Sequence, residues 1–143
     1  MDFRLTDEQL EFQQYCRKFS TDVIRPVAAQ YDREQSVPWP VIKEARKWNL
    51  HGLEYIQKVA SDADGLFGVI YAEELHWGCA GIALAISASG LAAAGIASSG
   101  TPEQIGKWIP EIYGTGPDDI KLGAYAVTEA GAGSDVKSLR TTA

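Results

Sequence analysis

Cysteine is nearly missing from this 143-residue chain: Cys16 and Cys79 are the only two. They stand too far apart for a metal-ligand spacing and are too few for a disulfide framework, which excludes a stapled secreted domain and points to a reducing compartment. Both are expected to be small core residues. Positive charge is also short, with 13 Lys and Arg against 19 Asp and Glu for a net charge of -6. That balance lacks the excess cations that phosphate backbones require, so nucleic acid is excluded as a partner. The start, Met-Asp-Phe-Arg-Leu-Thr, has neither the basic-plus-apolar pattern of a secretory signal nor the Arg/Ser richness of a transit peptide, and a native cytoplasmic start is expected.

Charge of either sign is absent from Gly78 to Pro102, a length that raises a membrane span. Ala, Gly and Ser dominate there, and the few large side chains are Ile82, Leu84, Ile86, Leu91 and Ile96, so transfer into lipid would gain little. The expectation is no membrane span and a helix buried in a bundle, where small residues let neighbouring backbones approach.

With 45% hydrophobic and 22% charged residues there is material for one core. Thr6 with Gln9 reads as a capping box, followed by Phe12, Cys16, Phe19, Val23 and Val27 at helical spacing to about Tyr31, with Pro26 predicting a kink near Ile24. Val37-Pro38-Trp39-Pro40 launches a second helix, Val41 to Asn49, that His51-Gly52 ends. A polar break at Ser61 to Gly65 precedes a third helix from Leu66 to Trp77, and the uncharged helix follows from Ala80 to Ser98. Thr101-Pro102-Glu103-Gln104 caps a fifth, with Ile105, Trp108, Ile109 and Ile112 on its apolar face. Leu122 to Thr128 then alternates as a short strand bounded by glycines. The expected fold is mainly α: a bundle of about five helices over residues 1–118, then the first strand of a β-domain that begins at 119 and is incomplete at Ala143, since a lone strand lacks ladder partners.

Few residues suggest chemistry. Gly131-Ala132-Gly133-Ser134-Asp135 follows the strand, but Val136 stands where a dinucleotide fingerprint needs its third glycine, and no room remains for the βαβ unit. A P-loop ending and a nucleophile elbow are missing as well. What remains is a glycine-rich turn whose amides and Ser hydroxyl suit a phosphate or a carbonyl. Glu73 and His76 share a helix side while Glu74 points elsewhere, and with no second His or Cys at ligand spacing no metal is expected. His51 reads as a cap or exposed contact, and Trp39, Trp48, Trp77 and Trp108 as packing between helices.

The run Ala124-Tyr125-Ala126-Val127-Thr128-Glu129-Ala130-Gly131-Ala132-Gly133-Ser134-Asp135 resembles the first signature segment of the acyl-CoA dehydrogenases, in which an aromatic and a Thr-Glu pair precede Gly-x-Gly-Ser-Asp. Leu5 to Gln9, Pro26-Val27-Ala28, Glu73-Glu74-Leu75, Gly78 to Gly81 and Gly100 to Gln104 also look like their counterparts. The resemblance implies a helical domain, a middle β-domain and a C-terminal bundle, assembled as a homotetramer or heteromer. It implies FAD, an acyl-CoA substrate dehydrogenated at its α,β bond, and electron-transferring flavoprotein or a similar acceptor. By resemblance Tyr125, Val127 and Thr128 lie against the isoalloxazine, Gly131, Gly133 and Ser134 shape the turn beside FAD, and Ser134 meets the CoA arm. Ala83, Leu84 and Ser87 resemble the floor of the acyl pocket. Ala130 departs from the proline common in the signature, and Gln57 to Gly65 departs from a Glu-x-x-Gly-Gly turn. The resemblance places the catalytic glutamate in the C-terminal domain, so the base is expected beyond Ala143. No catalytic residue is expected here, and the chain alone is expected to be inactive. A non-catalytic dehydrogenase-like subunit, a helical interaction module or a small stand-alone helical protein are the alternatives.

Overall fold

The computed structural model describes residues 4–116 and 118–142. Ala143, beyond which the catalytic base is expected, lies outside the described residues. Among those described lie eight α-helices: α1 Asp7–Phe19, α2 Arg25–Glu34, α3 Trp39–Lys47, α4 Leu53–Ala60, α5 Leu66–Gly78, α6 Ala80–Ser87, α7 Ser89–Ser99 and α8 Pro102–Tyr113. The mainly helical reading holds, and both capping boxes are present, Thr6 with Gln9 and Thr101 with Gln104. The kink expected near Ile24 takes the form of a π-helical turn, Ser20–Ile24, between α1 and α2. Pro26 has no N–H to give and its ring crowds the carbonyl one turn back, so the ladder slips a register and Arg25 N–H bonds Ser20 O.

Three expectations need correction. Leu53–Ala60 is a helix that the sequence does not predict, although Leu53, Ile56 and Val59 repeat at helical spacing. It is short and Gly52 gives it no side-chain cap. The uncharged helix is interrupted at Ala88, and over Ala80–Ser99 only 33% is buried, so it is a core helix on one face and open on the other. Leu122 to Thr128 forms no strand. It has no regular secondary structure, and among the described residues the single β-bridge joins Glu129 to Ala132. A ladder needs a second strand, and no neighbouring described segment supplies one.

The core joins Cys16, Phe19 and Ile24 to Ile42 and Ala45 of α3, Tyr71 and Leu75 of α5, and Ile82, Ala83 and Ile86 of α6. Helix α5 presses close to the π-helical turn because Gly78 has no side chain: a Cβ there would lie 3.0 Å from Ile24 Cγ2 and 3.1 Å from Ser20 Cβ. Ser20 Oγ donates to the Glu74 carbonyl at 2.8 Å, and the Glu74 carboxylate is buried against the Arg17 guanidinium. That carboxylate is only 3% exposed, and the ion pair is what allows it to be there. Arg17 and Arg25 also lie over the ring of Trp77, which is exposed, as are Trp39 and Trp108. Of the four tryptophans only Trp48 packs between helices as expected, against Tyr15 and Phe19.

Candidate functional site

The uncharged helix and the segment after Ile120 meet on one surface. Leu84, Ala88, Leu91 and Gly95 fall at alternating four- and three-residue steps and so line one face of α6 and α7, opposite the core face of Ile82, Ile86 and Ala93. Leu84 is 54% and Leu91 58% exposed, so this stripe is apolar and open. The segment after Ile120 reaches it from the flank. Gly123 N–H donates to the buried Ser89 Oγ at 2.9 Å, and a Cβ on Gly123 would fall 2.7 Å from Ile112 Cγ2 and 3.1 Å from Ala92 Cβ. Two residues on, the Tyr125 ring comes to rest on Gly95, where a Cβ would lie 3.2 Å from Tyr125 Cε2. Gly123 and Gly95 are thus places where a missing side chain lets backbone and ring close on the helix.

The sequence-expected residues divide accordingly. Tyr125 sits at the edge of the open stripe, 54% exposed, with Val127 half-buried and Thr128 exposed beyond it. Leu84 is on the stripe and Ser87, half-buried, borders it. Ala83 faces the other way, fully buried in the core, so within this domain it supports the helix rather than lining its open face. A catalytic base has no counterpart to place, because the position expected for it, past Ala143, is outside the described residues.

The glycine-rich turn is a closed hairpin. Glu129 and Ala132 exchange backbone hydrogen bonds at 3.0 and 3.1 Å, which makes Ala130 and Gly131 its central residues. The Glu129 carboxylate accepts the amides of Arg140 at 2.9 Å and Thr141 at 2.8 Å, pinning the tail across the hairpin. Hydrogen bonding from Thr141 and then from the Arg140 amide holds its carboxyl below the usual range. Asp135 accepts the Ser138 hydroxyl at 2.6 Å and precedes a 3-10 turn, Val136–Ser138, whose amides its side chain does not cap. Gly131, Gly133 and Ser134 are all exposed, and among the described residues no protein group accepts their amides. Free amides beside an exposed Ser and Thr hydroxyl are a donor set that fits a phosphate or ring carbonyl.

His51 is neither exposed nor a simple cap. It is 1% exposed, with Nδ1 2.9 Å from the Ile86 carbonyl just before the helix break and its ring edge-on to Tyr113. Burial lowers its pKa, opposed by the Ile86 carbonyl, and keeps it neutral. Glu73 and His76 are both exposed, and among the described residues no group of three His, Cys, Asp or Glu side chains could hold a metal ion.

A family model described as acyl-CoA dehydrogenase, N-terminal domain, matches residues 6–115. The chain belongs to the acyl-CoA dehydrogenase family. It is 32% identical, over 99% of its length, to the probable medium-chain specific acyl-CoA dehydrogenase 2, mitochondrial, of Caenorhabditis briggsae, and covers 34% of that protein. It is 32% identical over its whole length to the short-chain specific acyl-CoA dehydrogenase of Clostridium acetobutylicum, covering 37% of it. It is 33% identical over its whole length to the acryloyl-CoA reductase (NADH) of Anaerotignum propionicum, covering 36% of it. The chain therefore spans about a third of the length of these relatives. Sequence reasoning missed Ser89, Gly95 and Gly123, which seat the signature segment. A glycine inside a helical pattern and another inside an extended one were the available signals of close backbone approach.

Proposed function

We propose that this chain is the helical N-terminal part of an FAD-dependent acyl-CoA dehydrogenase, and that the open stripe of α6 and α7 together with the signature segment is one wall of its active site. What supports the reading is the contact of Tyr125 with Gly95, which brings the signature segment onto the helix that carries the exposed Leu91. An uncharged helix face left open in a chain of net charge -6 is where an acyl chain would gain most by leaving water. The stripe would take the acyl chain with Leu84 and Ser87 as its floor. Val127 and Thr128 would face the isoalloxazine, and the free amides of Gly131, Gly133 and Ser134 would hold its polar groups and the CoA arm. When bound, the flavin supplies the hydride acceptor for α,β-dehydrogenation of the thioester. The base is a glutamate beyond Ala143. The names of the relatives extend from medium-chain to short-chain substrates and to a reductase, so the acyl group is set by walls that this third of the protein does not contribute.

Two unpaired cysteines fit a reducing, cytoplasmic location. A homotetramer or heteromer that passes electrons to electron-transferring flavoprotein or a similar acceptor completes the proposal. The test is the product of the full reading frame. It is expected to purify yellow and to bleach when an acyl-CoA is added without oxygen, whereas residues 1–143 alone stay colourless. A full-length product with no flavin would overturn the enzymatic reading in favour of a non-catalytic subunit. Tight stoichiometric FAD on the 143-residue chain would overturn the view that it supplies only one wall.

A further inference from the structure

We propose that Arg46 is a positioning residue, which sets where the signature segment leaves the helical domain. Its guanidinium, on α3, donates through Nη2 to the carbonyls of Gly114 at 3.0 Å and Gly116 at 3.4 Å, and through Nη1 to the His51 carbonyl at 3.4 Å. One side chain thus clamps the turn after α8 to the turn before α4, and among the described residues it has no carboxylate partner. Both turns are shaped to receive it. Gly52 has φ +127, and a Cβ there would fall 2.1 Å from Arg46 Nη1, so only glycine leaves the guanidinium its place. Gly114 has φ +77, and a Cβ there would fall 1.5 Å from the Asp119 carbonyl oxygen, so the loop closes on itself where Arg46 holds it.

Asp119 is also tied to the turn by the Thr115 amide, which donates to its carboxylate at 3.2 Å. The segment toward Gly123 thus starts from a point that Arg46 fixes. From there to Tyr125 its other attachments are the packing of Ile120 against the core, the Ser89 bond at Gly123, a long 3.5 Å bond from Lys121 N–H to Tyr113 O, exposed pairings of Lys121 with Glu111 and Asp119, and the Tyr125 ring on Gly95. Exposed pairs hold little, and a charge-assisted, part-buried arginine bonded to carbonyls holds more. A lysine could not replace it, because an ammonium is a point donor and cannot span both turns as a planar fork does.

The functional meaning rests on the proposed flavin role of the segment, but the geometry can be tested without flavin. Amide hydrogen exchange on the 143-residue chain compares wild type with Arg46→Met and Arg46→Lys. In Arg46→Met the protection of the Gly123 amide is expected to fall by about tenfold or more, while the interior amides of α1 and α5 keep theirs. Arg46→Lys is expected to fall between. Should Arg46→Met fail to fold, Arg46→Lys is judged on the same two readouts. Unchanged protection at Gly123, or a loss at α1 and α5 in step with it, overturns the proposal. In the full-length protein the Arg46 variants should then bind FAD more weakly. If Gly123 loosens and FAD binding is unaffected, the flavin role of the segment fails and the positioning role stands.

Discussion

Gly123→Ala probes the seating of the signature segment at its tightest point. The new Cβ would stand 2.7 Å from Ile112 Cγ2, 3.1 Å from Ala92 Cβ and 3.4 Å from Ile112 Cγ1. The nearest Ile112 atom is the branch methyl Cγ2, held by a stiff χ1, and Ala92 is short and fixed on α7, so the segment must move outward. Overpacking of this kind costs about 1–3 kcal/mol. Moving outward also stretches the bond from the residue-123 amide to Ser89 Oγ, worth about 1 kcal/mol, and leaves a buried hydroxyl short of a partner. The two costs do not simply add, because the segment can lift away instead of straining the helices, and the total is capped by what its docking contributes. The expected loss is about 2 kcal/mol, or a fall in Tm of roughly 6 °C. Thermal unfolding followed by helical circular dichroism gives the stability, and NOEs between the Tyr125 ring and Gly95 report the contact. A variant as stable as wild type with the Tyr125–Gly95 contact intact would show that Gly123 is not a tight point of the seat.

Gly131→Ala should have the opposite character: a Cβ at Gly131 meets nothing within 4 Å, so the melt is unchanged, yet flavin affinity of the full-length protein drops if this turn lies against FAD. Arg17→Met should cost about 3 kcal/mol, because the Glu74 carboxylate stays buried without its partner; adding Glu74→Gln should restore part of that loss, which a double-mutant cycle measures. Acidification should act at two places. The folded state holds Glu129 below the usual carboxylate range, so the attachment of Arg140 and Thr141 is complete above that range and is lost as pH falls through the depressed value, seen as movement of their amide resonances. His51 has a folded pKa below its usual 6.5, so the unfolded chain takes up its proton first and stability falls as pH drops from 6.5 toward the folded value; His51→Gln should flatten that slope.

Local signals in the sequence locate much of the fold. Two capping boxes and the placement of Pro26 mark helix starts and the π-helical turn, because caps and proline act within one turn of chain. Helix α4 is hidden, since eight residues opened by a glycine give too few periods to stand out. Alternation at Leu122 to Thr128 suggests a strand, yet alternation reports only an extended backbone, and a strand needs a partner that local pattern does not encode. The site is half legible. A specific motif locates Tyr125 to Ser134, but its seat at Ser89, Ala92 and Gly95 depends on how α7 packs beside α8. For Ala83 and Leu84, adjacent on one helix, the difference between buried and open is a rotation of about 100°, settled only when the core forms around Ile82 and Ile86.

We propose that the Tyr125 to Ser134 segment and the α6–α7 stripe form one wall of a flavin and acyl-CoA pocket. The most direct measurement is a crystal structure of the full-reading-frame protein grown with FAD and a non-reacting acyl-CoA analogue. It should place the isoalloxazine against Val127 and Thr128, the CoA arm beside Ser134, and the acyl group over Leu84 and Ser87. A flavin bound elsewhere, or a stripe of Leu84 and Leu91 covered by protein alone, would contradict it.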